Sequence, residues 1–98
     1  MIVKVHKSGD RTVLCVCDSN LIGKKIEEGK KLLDLSSDYF KGEEKNKGEV
    51  LELIKDANIL NLSGEESVGL AKELGLISED EIIMFSNVPH VEIILIKE

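Results

Sequence analysis

The sequence has few of the residues on which many protein classes depend. It contains no tryptophan and no glutamine, one tyrosine, two phenylalanines, one proline and two cysteines among its 98 residues. Two cysteines cannot form the disulfide framework of a small secreted domain, and they fit a reducing compartment. With so few aromatic rings, the core has to be built from isoleucine, leucine and valine. We expect a single domain over residues 1–98, because this length supports one core.

The N-terminal segment does not have the pattern of a targeting sequence. Apolar and polar side chains alternate from Val3 to His6, and the stretch of residues 1–6 is too short and too polar for a signal peptide or a membrane span. We therefore expect a cytoplasmic protein with no membrane partner. Abundant lysine and glutamate are typical of thermophilic proteins and of AT-rich prokaryotic sources.

The charges are divided unevenly along the chain, whose net charge is −6. Residues 1–55 carry eleven Lys/Arg and ten Asp/Glu, whereas residues 56–98 carry two and nine. The acidic second half would repel a phosphate backbone, so we expect no generic DNA binding. A local basic patch on residues 24–31 could still bind a partner, with Lys24 and Lys25 as candidate residues. Acidic residues lie among these lysines, so an ordinary solvated surface is the alternative interpretation.

Alternation and turn residues predict the elements of the first half. Val3–His6 and Thr12–Cys17 should form an antiparallel hairpin, and the second strand should lie inside the sheet because it is apolar on both faces. Isoleucines one turn apart predict a short helix over Leu21–Glu28. The remaining predicted elements are a strand at Lys31–Leu35, a surface loop at Ser36–Gly48 anchored by Tyr39 and Phe40, and an amphipathic helix on Val50, Leu53, Ile54 and Ala57.

The second half has the order strand, helix, strand. Ile59–Leu62 precedes an amphipathic run whose buried stripe is Val68, Ala71 and Leu74, and Ile82–Phe85 follows it. This βαβ order implies that the two strands run parallel. We therefore predict an α+β (mixed α/β) fold. It is a single compact domain with an N-terminal β-hairpin, a C-terminal βαβ unit and a final strand pair, its helices packed on a mixed sheet.

The turn that follows Ile59–Leu62 has two interpretations. Gly64 and Gly69 at a strand-to-helix junction resemble the start of a phosphate-binding loop, but the Lys-[Ser/Thr] pair that should follow is absent. Ser63 and Glu66 have the spacing of a capping box, which would occupy the helix amides. We favour the capping box, and we expect neither a nucleotide nor another cofactor.

Cys15 and Cys17 project from the same side of their strand. If Gly9-Asp10 is the turn, Lys4 lies opposite Cys15 and His6 is one pair further along, an arrangement that could lower a thiol pKa. Together with His6 the cysteines supply at most three metal ligands, so we expect no metal site. Packing of small buried side chains in an interior strand is the favoured interpretation.

Polar side chains near strand ends are the candidate ligand-binding residues. Asn61 ends a strand, Ser67 lies in the first turn of the helix that follows, and His90 comes after Pro89, whose peptide bond could be cis. Such positions gather at the carboxyl ends of strands, so we expect all three to converge on one side of the sheet. The alternative is a histidine that only satisfies a local turn carbonyl. No residue is identified as catalytic.

Several segments together resemble a known family. They are Val16–Asp18, Leu21–Lys24, Tyr39–Glu43, Asn61–Gly64 followed by Val68–Ala71, and Val88–His90. Nearly end to end, the chain is similar to the archaeal domain of unknown function 424 family, which is uncharacterised. The resemblance implies an archaeal cytosolic protein, and it implies no activity, cofactor or catalytic residue.

Three functions remain open, and an enzyme is the less favoured class. The first is a small cytosolic binding or accessory protein with a protein or RNA partner, associated with RNA or the translation apparatus through the Lys24–Lys31 surface and the loop at Tyr39. The second is a small enzyme or metabolite-binding protein that uses the three strand-end residues. The third is a homo-oligomeric structural protein that pairs through its long apolar last strand, Val91–Ile96.

Overall fold

A six-stranded mixed sheet organises the chain. The computed structural model describes residues 1–96. In chain order the elements are β1 (Ile2–Ser8), β2 (Arg11–Cys17), β3 (Lys25–Glu28), β4 (Lys31–Asp34), a 3₁₀ turn (Asp38–Phe40), β5 (Glu43–Glu44), α1 (Lys47–Ile54), β6 (Ile59–Ser63), α2 (Glu65–Glu73), a second 3₁₀ turn (Glu79–Glu81), β7 (Ile83–Phe85) and β8 (Val88–Ile94). No helix within residues 1–96 is long and apolar enough to cross a membrane.

The N-terminal hairpin forms as predicted. β1 and β2 pair antiparallel with Ser8 opposite Arg11, so Gly9 and Asp10 are the two-residue turn. Gly9 has a φ of +62°, a left-handed conformation that costs a glycine little. The strand order of the main sheet is β5-β1-β2-β6-β8-β7. The prediction that β2 is an interior strand is therefore confirmed.

The predicted βαβ unit is present, with one strand inserted in it. β6 leads through α2 to β7, but β8 lies between β6 and β7 and pairs antiparallel with both. β6 and β7 thus run in the same direction without being neighbours. The directly paired parallel strands are β2 and β6, in register from Val13 opposite Ile59 to Cys17 opposite Ser63. The α+β class, with helices on a mixed sheet, is confirmed.

Both helices pack on one face of this sheet. α1 begins with a capping box, in which the Asn46 side chain accepts the Glu49 N–H and the Glu49 carboxylate accepts the Asn46 N–H. Ala57, predicted to continue this helix, is buried beyond its end. Each fully buried aliphatic side chain stabilises the fold by about 1.5–3 kcal/mol. The buried residues of this core include Val3, Leu14, Val16, Val50, Ile54, Leu60, Leu62, Val68, Leu70, Ala71, Val91 and Ile93.

Three local predictions differ from the structure. Leu21–Glu28 is not a helix, because Lys25–Glu28 forms β3 and pairs antiparallel with β4. The i, i+4 spacing of Ile22 and Ile26 is compatible with a helix. In the structure both side chains pack against a second apolar cluster, and the strand pair β3–β4 buries them there as well as a helix would. Leu74, expected in the buried stripe of α2, is its exposed C-terminal cap. The segment expected to be one loop, Ser36–Gly48, holds the first 3₁₀ turn, β5 and the start of α1.

The β3–β4 pair covers one end of the sheet face that lies away from the helices. Its cluster centres on the buried side chains of Cys17, Leu33 and Leu35. The Ser86 N–H donates to the Glu28 carboxylate at 2.9 Å, and the Ser86 hydroxyl donates to the Glu27 carbonyl at 2.9 Å. The rest of this face combines polar side chains with Ile2, Val13, Ile59 and Ile94. We call it the polar face, and its polar side chains are Lys4, His6, Arg11, Cys15, Asn61, Ser63, His90 and Glu92.

Candidate binding site on the polar face

The centre of the polar face is one row of side chains that crosses four strands. The strand register places Lys4 opposite Cys15, Cys15 opposite Asn61, and Asn61 opposite Glu92. Side chains directly opposite each other on neighbouring strands have Cβ atoms about 4.5–5.5 Å apart. The row therefore joins a cation, a thiol, an amide and a carboxylate.

The adjacent row, toward β3–β4, carries a serine and a histidine. Ser63 lies opposite His90, and their Oγ and Nδ1 atoms are 2.9 Å apart. The ring of His90 also packs edge-to-face on Phe85, with centroids 6.0 Å apart. Burial lowers the pKa of His90, and the negative charge of Glu92 opposes that shift. The imidazole is therefore held in its neutral form at neutral pH.

The opposite rim of the row is formed by two stacked rings. His6 lies on Tyr39 with ring centroids 4.1 Å apart and an interplanar angle of 11°. The His6 Nε2 atom is 2.8 Å from the Tyr39 carbonyl oxygen, so a hydrogen bond fixes the ring against the 3₁₀ turn. The Tyr39 hydroxyl interacts with the Cys15 thiol, and burial raises the pKa of Tyr39. Tyr39, a candidate binding residue, is thus placed over the row.

Asn61 has an unsatisfied acceptor at the middle of the row. Its Oδ1 atom is buried and accepts no hydrogen bond from the described residues. A buried acceptor without a donor costs about 1–3 kcal/mol. His90 is a diagonal neighbour of Asn61 across β6 and β8, a relation that corresponds to about 7–8 Å. Asn61 and His90 therefore lie on the same side of the sheet.

The two cysteines are not reactive groups of this site. Both side chains are buried, and that burial raises the pKa of Cys15 and of Cys17 to about 11. The negative charges of Glu92 and Asp18 act in the same direction on Cys15 and Cys17 respectively. A lowered thiol pKa is therefore contradicted, because desolvation of Cys15 outweighs the opposing effect of the Tyr39 side chain.

Comparison with known proteins identifies the family of this chain. The sequence matches the family described as protein of unknown function (DUF424) over residues 6–96. The chain belongs to this family. It is also similar to the crystal structure of an uncharacterized conserved protein from Methanopyrus kandleri, with a TM-score of 0.78 and 27% identity over 99% of this chain and 93% of that chain. No curated protein matches it. The predicted family is confirmed, and an archaeal source stays a prediction.

In this DUF424 domain, Ser67 does not join Asn61 and His90. It lies at the N-terminus of α2, where its N–H and its hydroxyl each donate to Asp18 Oδ1 at 2.8 Å. The Glu66 N–H donates to Asp18 Oδ2 at 3.0 Å. The predicted capping box of Ser63 and Glu66 is therefore wrong, because Asp18 caps the helix from the end of β2. The peptide bond before Pro89 is trans.

The candidate lysines lie outside the polar row. Lys24 and Lys25 are exposed at the start of β3, and Lys25 is paired with Asp34 across β3–β4. Farther along the same hairpin, Lys31 makes an ion pair with Glu28 at 2.9 Å. This arrangement is a mixed surface in which acidic side chains alternate with the lysines. No three His, Cys, Asp or Glu side chains among residues 1–96 are grouped as a metal site.

Sequence reasoning missed Arg11, Ser63 and Glu92 as members of the polar face. The hairpin register already placed Lys4 opposite Cys15. The extension of the row to Asn61 and Glu92 depends on β2 pairing with β6 and β6 with β8, and only the strand order of the sheet supplies those pairings.

Proposed function

We propose that this DUF424 domain is a small cytoplasmic binding protein that recognises a single-stranded segment of RNA on the polar face, as an accessory of the RNA or translation apparatus. The observation that carries the proposal is the Oδ1 atom of Asn61, which is buried and lacks a donor, in a residue that is only half-buried, so that rotation of its amide would present the oxygen to a ligand. A nucleobase carries amino and imino N–H groups that can supply one. Asparagine side chains commonly bind bases in this way.

The stacked rings support a nucleobase as the ligand group. Proteins that bind single-stranded RNA stack its exposed bases on aromatic side chains and read the base edges with polar groups. Tyr39 and His6 form such a stack at the rim, and the carboxylate of Glu92 lies opposite Asn61 as a second acceptor. Acceptors at this position suit the amino groups of cytosine, adenine or guanine.

The distribution of charge supports the polar face as the side that meets phosphate. Lys4 and Arg11 project from this face, and neither makes an ion pair within residues 1–96. The opposite side carries an acidic helix, α2, with Glu65, Glu66 and Glu73. A polyanion would be repelled by the helix side and attracted to β1 and β2.

The reactive groups near the site favour binding over catalysis. Ser63 is fully buried and is engaged with His90, so its hydroxyl cannot reach a substrate. Both thiols are protonated at neutral pH because their pKa is about 11. A small metabolite remains the second candidate ligand, because Asn61 and the neutral His90 are close enough to contact one molecule together.

The test is a titration of labelled, mixed-sequence single-stranded RNA of about ten nucleotides, a typical site size, followed by fluorescence anisotropy. Tyr39→Leu should weaken binding about 5- to 150-fold, because a base–aromatic stack contributes about 1–3 kcal/mol. Lys4→Gln should lower the salt dependence by about 0.7 in log–log slope. Lys72→Gln is the matched control, because it removes the same charge on α2.

The outcomes separate the candidates. If Lys4→Gln and Lys72→Gln change the salt dependence of RNA binding equally, binding on the polar face is contradicted. Saturable binding of AMP, CMP or GMP without binding of the oligonucleotides would favour the metabolite alternative. An absence of binding to either ligand at up to about 1 mM would contradict both, provided that thermal melting shows folded protein.

A further inference from the structure

The edge of β8 offers an unpaired template for another strand. β7 pairs with β8 only from Val88 to His90, and no strand within residues 1–96 covers the rest of that edge. Near the end of the described chain, the side chains of Ile94 and Ile96 are 75% and 90% exposed. Exposed apolar edges of this kind pair readily with other strands, and monomeric proteins usually protect them with lysine, proline or a bulge.

The direction of each backbone group along this edge follows from the pairing with β6. The Gly64 N–H donates to the Pro89 carbonyl at 2.9 Å, and the Leu95 N–H donates to the Asn58 carbonyl at 2.7 Å. Odd-numbered residues of β8 therefore direct their N–H and C=O groups toward β6. Glu92 and Ile94 direct theirs outward, so their N–H and C=O groups lack a strand partner.

We propose that a second copy of this chain pairs with the free edge of β8, antiparallel, about a two-fold axis at Ile94. The free edge from residue 92 to residue 96 is symmetric about Ile94. An axis there sets Ile94 opposite Ile94 of the other copy and Glu92 opposite Ile96. Every outward backbone group then meets a free partner, which is the self-complementarity that a two-fold interface requires.

The charges agree with this register. Glu92 faces an isoleucine instead of the second copy's Glu92, so the pairing avoids like charges directly opposite each other. Ile94 and Ile96, the most exposed large apolar side chains within residues 1–96, become covered by one another across the two copies. The interface therefore removes from water the side chains that otherwise make this edge prone to aggregation.

The dimer would form one continuous sheet. Because the two-fold axis is perpendicular to the sheet, the polar faces of both copies lie on the same side and the helices of both lie on the other. This inference does not depend on the ligand of the polar face, since it uses only the edge of β8.

The first experiment measures mass in solution, by light scattering after size-exclusion chromatography. The unmodified protein should be a dimer, and Ile94→Lys should be a monomer with an unchanged circular dichroism spectrum, because two lysines would meet on the axis. Leu32→Lys is the matched control: Leu32 is 52% exposed on β4, away from this edge, and its variant should stay dimeric.

The second experiment tests the register. Residues that form a hydrogen-bonded antiparallel pair have Cα atoms about 5.5 Å apart, within the 4.4–6.8 Å range of disulfides. Ile94→Cys should therefore give a disulfide-linked dimer on mild oxidation, and Leu32→Cys should not. The buried Cys15 and Cys17 should not interfere. A monomer at concentrations up to about 1 mM, or a dimer that survives Ile94→Lys, would overturn the proposal.

Discussion

Removal of the Asp18 carboxylate should destabilise the fold more than any other substitution of a single polar group near α2. Asp18 is 8% exposed, and its two oxygens accept hydrogen bonds from the Glu66 N–H, the Ser67 N–H and the Ser67 hydroxyl. Loss of a helix N-cap costs about 0.5–2 kcal/mol. The buried Ser67 hydroxyl would also lose its acceptor, at about 1–3 kcal/mol. We therefore expect Asp18→Ala to lower the free energy of unfolding by about 2–4 kcal/mol.

Graded variants separate the parts of this cap. Ser67→Ala removes one of the three hydrogen bonds and should lower the free energy of unfolding by about 1 kcal/mol. Asp18→Asn keeps one acceptor oxygen but loses the charge, and its effect should lie between those of Ser67→Ala and Asp18→Ala. Asp56→Ala is the control, because Asp56 is exposed and its removal should change stability by less than about 0.5 kcal/mol.

The assay is urea unfolding followed by far-ultraviolet circular dichroism, since the chain has no tryptophan to report by fluorescence. The midpoint should fall while the m-value stays constant, because the variants expose the same surface on unfolding. The reasoning is refuted if Asp18→Ala unfolds like Asp56→Ala. It is also refuted if Glu66→Ala lowers the free energy of unfolding more than Asp18→Ala does. That result would indicate that the Ser63–Glu66 capping box, and not Asp18, caps α2.

Three further predictions concern neighbouring groups. Gly64→Ala should destabilise the fold about as much as loss of the cap, because Gly64 has a φ of +105° and an added Cβ would lie 2.2 Å from the Asp18 Cγ. Urea unfolding measures this change, and an unchanged free energy of unfolding would contradict the prediction. Burial lowers the pKa of His90, so the unfolded chain binds more protons below about pH 6.5, and stability should fall as the pH drops below that value, by at most about 1.4 kcal/mol per pH unit. A pH series that shows the same slope in His90→Gln would contradict this. Cys15 and Cys17 should react with a thiol reagent at about pH 8 only on unfolding, because their pKa is about 11; rapid labelling of the folded protein would contradict it.

Elements with a strong local signal could be predicted from the sequence. The hairpin of β1 and β2 has alternating side chains around a glycine turn, and both features act between neighbouring residues. The helix over Lys47–Ile54 likewise follows from apolar spacing. The segment Leu21–Glu28 could not be predicted, because its isoleucines are buried by a cluster that forms only after β3–β4 folds onto the sheet.

The candidate site was predictable only in part, for a related reason. Asn61 and His90 lie on neighbouring strands and on the same face, as expected, but Asn61 is the central residue of β6 and does not end it. Ser67 was expected with them because it lies in the first turn of the helix that follows β6. In the structure α2 places Ser67 on the helix side of the sheet. There its hydroxyl donates a hydrogen bond to Asp18, which lies 49 residues earlier in the chain. Contacts over such separations have no signal in local sequence patterns.

The same contact explains why we propose a ligand site away from the usual place in this kind of sheet. In sheets with paired parallel strands, ligands commonly bind at the carboxyl ends of those strands, against the N-terminus of the following helix. Here that place lies after β2 and β6, and the Asp18 carboxylate already binds the first amides of α2. Gly64 allows this approach because it has no Cβ. An incoming anion would meet a buried carboxylate and a helix end whose donors are occupied, so binding chemistry at this end is disfavoured. The buried side-chain atom that lacks a hydrogen bond among residues 1–96, the Oδ1 atom of Asn61, is on the polar face instead.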